Sequence, residues 1–131
     1  MAKGKIDEAT GQDAVRAALA GGADRNTTAT AVRFLLQIIE TNVPGRSVEV
    51  RVPPFGAAQC VEGPGHTRGT PPNVIEMDAA TWLPLATGSL PWSEGLASGR
   101  IHASGVRADL SPFLPRDVLR DNMRIALLEE S

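Results

Sequence analysis

Tyrosine is missing from this 131-residue chain, and three phenylalanines with two tryptophans are its whole aromatic content. A single cysteine, Cys60, excludes an internal disulfide and points to a reducing, cytoplasmic setting. An excess of positive charge is missing too. Thirteen Lys and Arg against 15 Asp and Glu leave a formal net charge of −2, which gives no reason to expect nucleic-acid binding. No apolar run is long enough to span a bilayer, the longest lying near residues 34–39, so no stable membrane insertion is expected. The opening MAKGKIDEATGQD lacks the apolar stretch of a secretion signal. The chain ends Glu129-Glu130-Ser131, which is not a peroxisomal address.

Chemical signatures are equally scarce. His66 and His102 stand far apart without ligand spacing, so no metal site is expected. No Gly-Lys-Ser/Thr follows the glycine-rich stretches, which excludes a phosphate-binding loop. Cys60 and His66 have no third orienting group at recognisable spacing. Cys60 therefore reads as a buried, inert thiol. Neither catalytic residues nor a cofactor is expected.

What is present is enough apolar sequence for one domain over residues 1–131, at 42% hydrophobic residues, broken by 13 Gly and ten Pro into short elements and stiff loops. A first helix is predicted over about 7–20, with Thr10 and Asp13 offering a later, internal start, and Gly21-Gly22 ending it. A second helix is predicted over about 28–42. Its polar residues Thr30, Arg33, Gln37 and Glu40 fall on one stripe, and Ala31, Val32, Phe34, Leu35, Leu36, Ile38 and Ile39 occupy nearly everything else. A helix so widely apolar is covered on more than one side, as a central core helix or as the border of a cavity or partner.

After the Pro44-Gly45 turn, residues 47–52 alternate cleanly. Val48, Val50 and Val52 face one way, Glu49 and Arg51 the other. Pro53-Pro54 ends that strand, and residues 57–62 read as its hairpin partner. Residues 63–72, GPGHTRGTPP, form a stiff loop, with a third strand at 73–77. Asp78 opens a helix carrying Trp82, Leu83 and Leu85 that Thr87-Gly88 closes. Pro91-Trp92 starts a short helix ended by Ser98-Gly99. A fourth strand is predicted at 101–105, a further helix within 106–114 capped by Asp109 or Ser111, and an amphipathic helix at about 117–130. Strands and helices mixed in this way read as an α+β fold.

Longer strings carry more specific information. Residues 47–60 read SVEVRVPPFGAAQC, residues 63–76 read GPGHTRGTPPNVIE, and residues 81–88 read TWLPLATG. Asp78, Trp82, Leu85 and Gly88, followed by Gly99, Ile101 and Gly105, fit a helix–helix–strand pattern. In these segments the chain, over about residues 32–115, resembles the sterol carrier protein family and in particular a compact branch found in actinobacteria. The resemblance implies a mixed, mostly antiparallel five-stranded sheet covered by helices, with a hydrophobic tunnel between the two. It implies a non-enzymatic carrier or binding domain for a lipid, sterol, fatty acid or similar apolar ligand. A different class of role is also implied. Related domains accompany mycothiol-dependent maleylpyruvate isomerases, so a stand-alone copy could act on a protein partner as an interaction or regulatory domain without lipid cargo.

The family tunnel has no polar signature, so only its apolar borders can be named. Phe34, Leu35 and Ile38 are candidates from the second helix, and Trp82, Leu83, Leu96, Leu110, Phe113 and Leu114 from the matched segments. Each has the alternative of being plain core, because binding pockets and cores share an apolar composition. His66-Thr67-Arg68, framed by Gly and Pro, can turn backbone N–H groups toward an anion, with Arg68 completing a carboxylate clamp. The same loop reads equally as structural, with Arg68 pairing with Glu62 or Glu76 and His66 bonding a backbone carbonyl.

Overall fold

The structure is a computed structural model, and it describes residues 5–63 and 72–116. The chain opens with two helices, α1 (Glu8–Ala20) and α2 (Arg25–Asn42). Each is started by an aspartate that accepts a hydrogen bond from an otherwise unpartnered N–H of the first turn. Asp7 accepts from Thr10 at 3.1 Å, and Asp24 from Thr27 at 2.7 Å. The hydroxyl and N–H of Thr10 hold the Asp7 carboxyl below its usual range, and the N–H and hydroxyl of Thr27 do the same for Asp24. The earlier of the two starts foreseen for α1 is thus the real one. Asp13 instead pairs with Arg16 on the surface at 2.9 Å. Gly21, at φ 89, ends α1, and the Asp24 cap starts α2 three residues before the predicted position 28.

Strands β1 (Val48–Val52) and β2 (Gly56–Cys60) form the antiparallel hairpin, with Val50 opposite Ala58. β2 stops at Cys60 because Val61 turns the chain aside at φ 65, a conformation that a β-branched residue seldom adopts. Three hydrogen bonds hold it there. Its N–H donates to the Val43 carbonyl at 2.9 Å, and its own carbonyl accepts from the Ser47 N–H and hydroxyl at 3.1 and 2.6 Å. β3 (Asn73–Glu76) pairs parallel to β1, and β4 (His102–Ser104) pairs antiparallel to β3, giving the order β2-β1-β3-β4.

The described residues therefore make a mixed four-stranded sheet, two antiparallel pairings and one parallel, and not the five strands that the resemblance implied. The four segments read as strands from the sequence, at 47–52, 57–62, 73–77 and 101–105, each overlap one of these strands.

Val48, Val50, Val52, Cys60 and Ile75 are fully buried on the sheet face that the helices cover. Glu49, Arg51, Gln59, Glu76 and His102 fall on the other face by register. α2 packs on β2, on α1 and on α3 (Ala79–Thr87). Asp78 caps α3, accepting from Thr81 at 2.9 Å, and Gly88 closes it in a left-handed conformation. Pro84 inside α3 has no N–H for the Ala80 carbonyl, and the Arg100 guanidinium approaches that oxygen at 3.5 Å. α4 (Trp92–Ala97) leads to β4.

The helix foreseen within 106–114 does not form; that stretch is a run of turns. Side chains hold the backbone in those turns. The Arg107 N–H goes to Asn73 Oδ1 and the Ser111 N–H to the Asp109 carboxylate, both at 2.8 Å. The helix foreseen at 117–130 lies outside the described residues. No helix among the described residues is long and apolar enough to cross a membrane.

Candidate ligand site

The layer between sheet and helices gathers most of the named apolar candidates. Phe34, Leu35, Trp82, Leu83 and Leu110 are buried in one continuous core, and Ile38, Phe113 and Leu114 are half-buried against it. Leu96 stands apart on α4, 41% exposed. The Trp82 indole N–H reaches the Val32 carbonyl at 3.3 Å, tying α3 to α2 through the middle of this layer. The ring of Phe34 lies so close to Gly11 of α1 that a Cβ there would sit 2.1 Å from it. His66 and Arg68 lie outside the described residues.

Asn73 was not singled out by sequence reasoning, yet it organises one end of the layer. It is buried, donates from Nδ2 to the Ser47 carbonyl at 2.8 Å, and accepts the Arg107 N–H. Its amide thereby ties β1 to the turn after β4. Nothing in its local sequence marks this, because both partners are distant in the chain.

The clefts bounded by described residues include the following three. The largest, about 730 Å³, runs between α2 and the start of β2 and is lined by Ile6, Arg33, Leu36, Gln37, Glu40 and Phe55 among others. The polar stripe read from the sequence thus lines a groove. Its members are committed. The Gln37 amide exchanges two hydrogen bonds of 2.9 Å with the backbone of Ile6, and Arg33 Nε donates to the Phe55 carbonyl at 2.8 Å. The Arg25 guanidinium stands 5.6 Å above the Phe55 ring. A second cleft of about 390 Å³ lies among Met77, Asp78, Arg100 and His102, and a third of about 380 Å³ is lined by Arg51, Pro53, Pro54 and Glu76. The named tunnel candidates do not line any of these three.

Cys60 is buried, and burial, with a smaller contribution from the Glu40 charge, pushes its thiol up to about 11. At neutral pH it is not a nucleophile. Among the described residues no group of three His, Cys, Asp or Glu side chains is placed to hold a metal ion.

No curated protein matches the chain. A family model described as a bacterial SCP ortholog matches residues 24–116, from the Asp24 cap of α2 to the end of the turns beyond β4, and the chain therefore belongs to this bacterial sterol carrier protein-like family.

Proposed function

We propose that the protein is a cytoplasmic, non-enzymatic carrier for a fatty acid, a sterol or a similar apolar molecule. The observation that carries this reading is the family match over residues 24–116. The aliphatic layer between sheet and helices supports it, as does the inert thiol of Cys60. The cargo occupies a tunnel between sheet and helices bordered by Phe34, Leu35, Ile38, Trp82, Leu83, Leu96, Leu110, Phe113 and Leu114. His66 and Arg68 are the polar anchors for an acidic end, on the grounds of their sequence alone.

Native mass spectrometry of protein purified from its own host tests the reading. A retained apolar molecule is expected. A ligand-free mass, together with a co-purifying protein and no uptake of added fatty acid, would overturn the carrier role in favour of an interaction domain. Titration of a fatty acid and its methyl ester against wild type and Arg68→Gln tests the anchor. The wild type is expected to prefer the acid about tenfold, equivalent to ~1.4 kcal/mol, and the variant to lose that preference while keeping its affinity for the ester.

A further inference from the structure

Among the described residues, the outer edge of β2 is the least protected part of the sheet. The Arg51 carbonyl accepts from Met77 on the β3 side at 3.1 Å and the Val52 carbonyl from Phe55 across the hairpin turn at 2.9 Å, and successive residues of a strand bond to opposite sides. Val48–Cys60, Val50–Ala58 and Val52–Gly56 are therefore the bonded pairs of the hairpin. Ala57 and Gln59 consequently turn their N–H and C=O groups away from β1. Among the described residues no strand lies beyond them.

Free edges are templates for pairing, and proteins blunt them with Lys, Pro, bulges or very short strands. The opposite edge follows that rule, since β4 has only three residues. β2 does not follow it. It has five residues, Gly-Ala-Ala-Gln-Cys, without a charge or a proline, and the groove beside its start leaves open space.

The charges alongside this edge are arranged in order. α2 runs in the same direction as β2. Arg33 is fixed at the start of the strand by the Phe55 carbonyl, and Glu40, seven residues on, lies toward its end, where its charge is felt by Cys60. A two-fold axis through Ala58 reverses one copy against another. It sets Ala57 of one copy opposite Gln59 of the other, twice, so that every outward N–H meets a carbonyl. The same operation brings Arg33 of one copy toward Glu40 of the other, twice. The edge is thus complementary to itself in both hydrogen bonding and charge, which is what a closed two-fold interface requires.

We propose that two copies of this chain join antiparallel through their β2 edges into a continuous eight-stranded sheet, with Arg33 and Glu40 exchanged across the interface. The pairing is independent of whether the protein carries a lipid. Sedimentation equilibrium of the full chain across micromolar concentrations tests it. A species of twice the 13.8 kDa chain mass is expected for wild type. Arg33→Glu and Glu40→Arg, each alone, are expected to weaken the dimer at least tenfold. An equimolar mixture of these two variants is expected to restore it, because each then presents the charges the other lacks. So is the double exchange Arg33→Glu with Glu40→Arg. Restoration also shows that both single variants are folded. A wild type that stays monomeric at every concentration overturns the proposal, and so do single variants that dimerise as well as wild type.

Discussion

At Cys60 a small side chain records its whole surroundings. In the unfolded chain its thiol ionises near 9.0, whereas in the folded protein it keeps its proton to about 11. Between those values the unfolded state has lost a proton that the folded state retains, so raising the pH favours unfolding. The stability contribution is fully present below about 9 and is lost as the pH rises toward about 11. Urea titrations at stepped pH should show wild type losing up to ~1.4 kcal/mol per pH unit in that window relative to Cys60→Ala, which has no thiol to titrate. Profiles that stay parallel would place the thiol in contact with water. Inertness of this cysteine was legible in the sequence, from its place in an apolar strand and its lack of partners at catalytic spacing. The role of Asn73 was not, because a buried amide is explained only by the two distant groups that it bonds.

Among the elements, the meeting of α1 and α2 depends on a missing side chain. Glycine in a helix interior weakens that helix, so Gly11 calls for a reason. The ring of Phe34 supplies it by occupying the space where a Cβ would be. Gly11→Ala should raise intrinsic helix propensity yet lower the stability of the protein by about 1–2 kcal/mol, since overpacking outweighs the propensity gain. Thermal melts of the variant beside an exposed helix control would show this. A rise in melting temperature would mean that the ring rotates away without cost. The elements that were legible are those with strong local signals: the alternating valines of β1, the Asp78 cap, and the glycines after α1 and α3. Residues 106–114 misled for a physical reason. Asp109, Ser111 and Pro112 resemble a helix start, but Asn73, far away in the chain, takes the Arg107 donor and favours turns. The opening of α2 at Asp24 was also within reach, since an aspartate three residues before Thr27 is an N-cap signal.

For the molecule as a whole, helices cover one face of a mixed sheet around a single core, as the α+β pattern implied. Strand number is a property of pairing rather than of any one segment, and among the described residues the four segments read as strands one by one match it where the five implied by the resemblance do not. The position of α1 has a further consequence. The family-matched stretch begins at residue 24, after α1 has ended. Yet α1 buries Val15 completely and Ala14 almost so, and it covers one side of Phe34. Residues 24–131 alone should bind a hydrophobic dye strongly and melt without a sharp transition, while the full chain melts cooperatively; identical melting curves would count against this. Kinship is recognised only from residue 24 onward, whereas the packing around Val15 and Phe34 begins with α1, and a boundary drawn from kinship alone would cut that helix away.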